Sequence, residues 1–190
     1  MRRAGDLAGA FAGLLVFAPI MAAIVVAIWL DDRGPILFRQ TRVGLRRRPF
    51  VILKFRTMRD GKITRVGRVL RGTGLDEIAQ FFNIVRGDMS AVGPRPLTDA
   101  DIERLGWNAA AFDFRWNAKP GLTGLAQIAG ADAAQASLAL DREYLAHRSV
   151  WMDLRLIALS FAVNAFGKQR VRAWVRRTHP QKHSQVGGRR

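Results

Sequence analysis

Cysteine is absent from the 190 residues, so disulfides and thiolate metal sites are excluded. Histidine occurs only at His147, His179 and His183. The last two have helical spacing, but Pro180 lies between them in a polar tail, so they make no convincing zinc site. Acids are scarce: 15 Asp and Glu stand against 31 Lys and Arg, a net charge of +16. Such a balance calls for a polyanionic partner, whether nucleic acid, an anionic membrane surface or a phosphorylated substrate. Aromatics interleaved with the basic residues for base stacking are lacking too. The patch from Arg33 to Arg71 holds 13 basic residues and one acid, Asp60, with only Phe38, Phe50 and Phe55 at core-like spacings. That pattern speaks against nucleic acid.

What is present begins with an uncharged apolar run of 24 residues, Leu7 to Leu30. As a helix it reaches about 36 Å, enough to cross a hydrocarbon core of roughly 30 Å. It is too long for a signal peptide and has no small-residue cleavage site after it. Hydropathy alone reads as an ordinary transmembrane anchor. Pro19 in the middle removes a backbone donor, and Arg2, Arg3 and the Arg33–Arg48 cluster put positive charge at both ends. Positive flanks stay cytoplasmic. A re-entrant helix that enters, breaks at Pro19 and returns to the same face satisfies both observations.

The segment GPILFRQTRVGLRRRPFVILKFRTM reads as a hairpin, with strands over about Ile36–Val43 and Phe50–Met58 and a turn at Gly44–Arg48. Ile52, Lys54 and Arg56 share one strand face. Lys54 stands out because its strand is otherwise strongly apolar. Next, Thr73 is expected to cap a helix ending at Arg86, with Gly87 as the C-terminal stop. On the helical wheel Asp76, Gln80 and Asn83 fall on one polar side with Glu77 beside them. Leu75, Ile78, Ala79, Phe82 and Val85 form the apolar side.

First-turn acids ordinarily complement the helix dipole, at about 0.3–1 kcal/mol each. Here Lys54, Arg71 and Arg95 come from flanking segments that can converge on the same helix start. Pro94 and Pro96 restrict the backbone around Arg95, and a guanidinium suits bidentate phosphate binding. Paired carboxylates among cations suggest a magnesium–phosphate site, in which the acids hold metal or attack phosphorus. Farther on, KPGLTGLAQIAG (Lys119–Gly130) is a glycine-rich turn region. WMDLRLIALSFAVNAF (Trp151–Phe166) is too short to span a membrane comfortably and reads as an interfacial or core helix. Eight basic residues and no acid fill residues 168–190.

FRQTRVGLRRRPFVILKFRTM, TRVGRVLRGTGLDEIAQFFNIVRGDMSAVGPRPL, KPGLTGLAQIAG and WMDLRLI follow one another in the order of the bacterial sugar transferases. The chain resembles this family of monotopic phosphoglycosyl transferases acting on polyprenol phosphate, over roughly Leu7 to Gly167. The resemblance implies an α+β fold, with a re-entrant membrane helix at 1–30, a cytoplasm-facing catalytic domain at 31–167 built from a small hairpin and several amphipathic helices, and a basic tail at 168–190. It implies Mg2+, a UDP-sugar donor, a polyprenol phosphate acceptor and contact with membrane phospholipid. Its setting is the bacterial inner membrane, at the start of exopolysaccharide, lipopolysaccharide or other glycoconjugate synthesis. By the same resemblance Asp76 is the nucleophile that takes the phosphosugar and expels UMP, and Glu77 places magnesium or tunes its neighbour. Asp76 and Glu77 are the expected metal-holding acids, and Lys54, Arg71 and Arg95 the expected phosphate binders. Asp153 matches a late aspartate with a substrate or structural role.

Departures from the family pattern are Ala18 before Pro19 where serine is usual, Ala79 where proline is common, the short connection Arg59–Ile63, and AGADA (Ala129–Ala133) without the usual Asn and Arg. Two rivals from other classes are a non-enzymatic basic scaffold on anionic lipid and a membrane-tethered polyanion binder. The scaffold predicts no turnover of any nucleotide sugar. The polyanion binder predicts affinity falling steeply with salt.

Overall fold

The computed structural model describes residues 2–130 and 134–166. The basic tail with His179 and His183, and Ala131, Asp132 and Ala133 of the AGADA segment, lie outside the described residues. The first element, α1 (Arg2–Asp32), is a single helix of 31 residues. Its inward positions recur every three or four residues, as an α-helix requires of one face. Ala10, Ile24 and Ile28 are buried, and Phe17 and Met21 pack against the core. The opposite face leaves Phe11, Leu15, Val16, Val26, Trp29 and Leu30 exposed. By length and composition the helix could cross a membrane.

Both ends of α1 are tied to the rest of the chain. Near the start, Arg3 donates to the carbonyls of Ile84 and Val85, and Asp6 accepts from Ser90 Oγ and from the Ala91 amide. At the far end Asp31 accepts from the Val66 amide and Asp32 pairs with Arg56. The expected break at Pro19 is not there: the helix continues through it. The proline removes one i→i−4 bond, leaving the Leu15 carbonyl without that donor, but the helix holds because its flanking turns pack on both sides of the gap. Phe17 stacks on Phe81 at 6.1 Å.

The hairpin is present, slightly shorter than expected. β1 (Leu37–Val43) pairs antiparallel with β2 (Pro49–Phe55), joined by a tight turn at Leu45–Arg47. Met58–Arg59 does not continue β2. It forms β3, paired with β4 (Lys62–Ile63), so the short connection is itself a second small ladder. Arg56 accordingly leaves the Lys54 face and pairs with Asp32.

The single helix from Thr73 to Arg86 is replaced by three pieces. α2 (Arg65–Thr73) is capped by Thr64, whose Oγ1 accepts from the Gly67 amide. Thr73 belongs to its last turn, donating its hydroxyl back to the Val69 carbonyl. Gly74, at φ 74°, then ends α2 in the left-handed region that only glycine adopts cheaply. A 3-10 segment, Leu75–Gln80, leads into α3 (Phe81–Arg86), which stops at Gly87 as expected. The changed winding rotates the faces. Gln80 and Asn83 are buried and Phe82 is exposed, the reverse of the wheel.

Asn83 shows why. Its Nδ2 donates to the Val51 carbonyl at 2.7 Å, and its Oδ1 accepts from the Leu53 amide at 3.0 Å. One side chain thus serves the outer edge of β2 in place of a third strand. Buried polar atoms need such partners.

The remaining chain packs on the other side of this unit. β5 (Ser90–Val92) and β6 (Gly121–Thr123) form a parallel pair. α4 (Asp99–Leu105) begins with a reciprocal Thr98–Asp101 capping box. A 3-10 stretch, Ala110–Asn117, precedes β6, and α5 (Leu125–Ala129), α6 (Ala134–His147) and α7 (Val150–Phe166) follow. α7 packs as a core helix on one side and leaves apolar residues exposed on the other. Leu156 is buried with Val92, Ile128 and Tyr144, while Trp151, Leu154 and Phe161 are exposed.

Candidate active site

Asp76 and Glu77 open the 3-10 segment directly after the left-handed Gly74, so the turn puts both carboxylates at one corner, each half-buried. Lys54 reaches them from β2, its Nζ 2.6 Å from Glu77 Oε1. The register of this contact follows from Asn83, which fixes the 3-10 segment and α3 along the edge of the same strand.

Arg71 arrives from the last turn of α2. Its Nε donates to Thr57 Oγ1 at 2.8 Å, leaving the rest of the guanidinium at the exposed end. α2 can lie this close because residue 67 is glycine. A Cβ there would stand 2.1 Å from the Thr57 carbonyl oxygen.

Burial pushes the Asp76 carboxyl above its ordinary value, and the neighbouring Glu77 carboxylate adds to the rise. Lys54 and Arg71 oppose it. Lys54, Asp76, Glu77 and Arg71 therefore act on one another, as their residue types suggested.

Arg95 is exposed between two buried prolines, Pro94 and Pro96. Its backbone is gripped from behind: Arg115 Nη2 donates to the Arg95 carbonyl at 2.6 Å. Arg115 is itself buried, bonded through Nε to the buried Asp141 at 2.8 Å. It lies over the rings of Trp107 and Trp116, at 5.3 and 5.2 Å. Burial lowers the pKa of Arg115 and raises that of Asp141, each partner resisting the other's shift.

The link between Arg95 and the acids is Arg42, which sequence reasoning missed. Burial lowers its pKa, Asp101 and Glu77 support its charge, and Arg95 opposes it. It donates to Asp101 and to the Pro96 carbonyl, both at 3.3 Å, while its Nε is buried without a partner. The hairpin register contains the signal: Phe38, Gln40 and Arg42 stand opposite Lys54, Ile52 and Phe50, so Arg42 shares the Lys54 face.

Asp153 bonds to the end of α6. Its Oδ1 accepts from the Tyr144 hydroxyl at 2.7 Å, and the same hydroxyl approaches the Val92 carbonyl at 3.2 Å. This ties α7 to α6 and to the end of β5.

Among the described residues no three His, Cys, Asp or Glu side chains cluster as a ready-made metal cage. Asp76 and Glu77 suit a hard cation that takes one or two carboxylates and completes its shell with water and phosphate oxygens. Burial first, and the Glu77 charge second, raise the Asp76 pKa, and such a cation would favour its ionised form.

Residues 1–167 match the family described as bacterial sugar transferase. The UDP-glucose:undecaprenyl-phosphate glucose-1-phosphate transferase of Caulobacter vibrioides is 38% identical over 177 residues, covering 82% of this chain and 66% of that protein. The Escherichia coli protein with the same description is 35% identical over 181 residues, 84% of this chain and 39% of its own length. The exopolysaccharide production protein PSS of Rhizobium leguminosarum bv. phaseoli is 34% identical over 188 residues, 83% of this chain and 91% of that protein. The chain thus spans less than two thirds of the first two relatives and most of the third.

Proposed function

The chain belongs to the bacterial sugar transferase family, and from that premise we propose that it transfers a sugar 1-phosphate from a UDP-sugar to polyprenol phosphate. The product is a polyprenyl-diphosphate sugar, the starting unit of a glycoconjugate or exopolysaccharide. One observation carries this reading: a half-buried Asp76 with raised pKa, next to Glu77 and facing Lys54 and Arg71.

In the first step a carboxylate oxygen of Asp76 attacks the phosphorus that bears the sugar. The bond from that phosphorus to the bridging oxygen breaks, and UMP leaves with the electron pair. In the second step an oxygen of polyprenol phosphate attacks the same phosphorus. The acyl-phosphate bond breaks and Asp76 returns as a carboxylate. Burial makes its oxygen more basic than an ordinary carboxylate, and the two cations keep it ionised for attack.

Lys54, Arg71 and Arg95 offset the diphosphate charge, and the Pro-Arg-Pro turn presents the last as a fixed fork. Asp76 and Glu77 would hold Mg2+, which would supply charge neutralisation at the diphosphate. Asp153 serves position, holding α7 through Tyr144.

The exposed apolar face of α1 takes membrane phospholipid. Bonds from Arg3, Asp6, Asp31 and Asp32 to the same polar unit support both ends of α1 lying on one side of the membrane, and the arginine-rich flanks favour the cytoplasmic side of the inner membrane. The test is a panel of UDP-sugars offered to the full chain with polyprenol phosphate and Mg2+, scored by UMP release. Release with one sugar donor supports the transferase. No release with any donor returns the chain to a non-enzymatic basic scaffold.

A further inference from the structure

One cavity is not at the acids. It lies where the hairpin turn meets the end of α3, has a volume of about 330 Å³, and is lined by Gly44, Leu45, Arg46, Arg48, Pro49, Phe50, Gly87, Asp88 and Lys119. The segment from Glu77 to Gly87 separates it from the dyad by about 15–20 Å at helical rise. A phosphate held there is out of reach of Asp76.

Three cations, Arg46, Arg48 and Lys119, line this cavity with one acid, Asp88. Among the described residues none of the three has an ion pair or hydrogen-bonded side-chain partner. Nearby cations are already used: Arg3 on the α3 carbonyls, and Arg47 on Asp113 and over the Trp116 ring. Lys119 Nζ and Arg3 Nη2 both come within about 3.5 Å of where a side chain on Gly87 would begin, so positive charge is concentrated at one spot.

The turn that carries the arginines is strained as well. Arg46 and Arg47 hold φ of 55° and 56°, left-handed placements that are strained for a non-glycine residue. Arg46 and Arg48, carried on this turn with no ion pair among the described residues, fit an anion.

We propose that this cavity is a second phosphate site, separate from the reacting diphosphate, which binds a phosphate monoester or diester through Arg46, Arg48 and Lys119. Its size admits a phosphate group with a short polar substituent. Its lining residue Gly87 lies beside Arg3 in the first turn of α1, and farther along that helix the outer face is apolar. The phosphate therefore comes either from an anionic lipid headgroup or from a free phosphate ester.

The test uses the full chain in neutral detergent, with the double variant Arg46→Gly/Arg48→Ala and the single variant Lys119→Gln. Glycine at 46 relieves the left-handed strain, so this variant retains its fold. Two arms distinguish the sources: thermal stabilisation by inorganic phosphate or glycerol phosphate, and retention of phosphatidylglycerol over phosphatidylcholine in nanodiscs of equal mixture. Either response in the parent, weakened at least about tenfold in the double variant, supports the site, since each lost charged hydrogen bond exceeds that factor. Stabilisation by soluble phosphate identifies a free ester as the ligand, and selective lipid retention alone identifies a headgroup. No response in either arm, or equal responses in parent and double variant, overturns the proposal. UMP release in neutral detergent stays unchanged in the double variant, so failure here is distinct from failure of the transferase reading.

Discussion

Asp141→Asn tests whether Arg95 depends on the buried pair behind it. Arg115 and Asp141 are each 2% exposed and 2.8 Å apart, so the substitution leaves a buried guanidinium without its counterion. Breaking such a pair from one side costs about 3–5 kcal/mol. For a chain of this size each kcal/mol lowers the melting temperature by about 2–4 °C, so thermal unfolding should shift down by roughly 6–20 °C. The double variant Arg115→Met/Asp141→Leu removes both charges and should recover most of that loss, because an apolar pair needs no compensation. It still leaves the Arg95 carbonyl without its donor. At a temperature where all variants are folded, KM for the UDP-sugar should therefore rise in both. A shift below about 4 °C for Asp141→Asn, with unchanged KM in both variants, refutes the idea that this pair holds the Pro-Arg-Pro turn.

Arg95→Lys should raise KM for the nucleotide sugar about tenfold or more, since lysine keeps the charge but loses a two-point grip; steady-state kinetics check it. Asp76→Asn should stabilise the fold at neutral pH. A carboxyl with a raised folded pKa loses stability as pH climbs from the ordinary 3.8 through its folded value. The gain should vanish below pH 3.8 in melting curves taken across pH. Cysteines at Ala4 and Arg33, one at each end of α1, should both resist an impermeant thiol reagent in intact cells; labelling of Ala4→Cys alone would show a crossing.

Periodicity made the ends of this architecture legible and misread its middle. The apolar run, the hairpin turn and the stop at Gly87 are local signals, and each appears where the residues put it. The helix across 73–86 failed for a physical reason: Gly74 takes a left-handed turn that a wheel cannot anticipate, and the winding after it brings Gln80 and Asn83 inside and Phe82 outside while Ile78 and Ala79 stay buried. Asn83 reads as a surface residue until a free strand edge needs two hydrogen bonds.

Of the candidate site, Lys54, Asp76, Glu77 and Arg71 were visible as unusual residues in apolar or turn-rich settings, and the structure brings them together. Arg42, Arg115 and Asp141 were missed, because their importance depends on contacts 59, 20 and 26 residues away in sequence. Arg42 alone was recoverable from the strand register. At Pro19 the chain stays helical, and Phe17 and Met21 pack on either side of it.

The most direct test of Asp76 as nucleophile is exchange without acceptor. The full chain, given a UDP-sugar, Mg2+ and labelled UMP but no polyprenol phosphate, should move label into the UDP-sugar, the mark of a ping-pong route. Asp76→Asn should abolish that exchange and net transfer together while the protein stays folded. Exchange that always requires the lipid, or substantial transfer by Asp76→Asn, would contradict the account and leave the two acids as metal holders for a direct displacement.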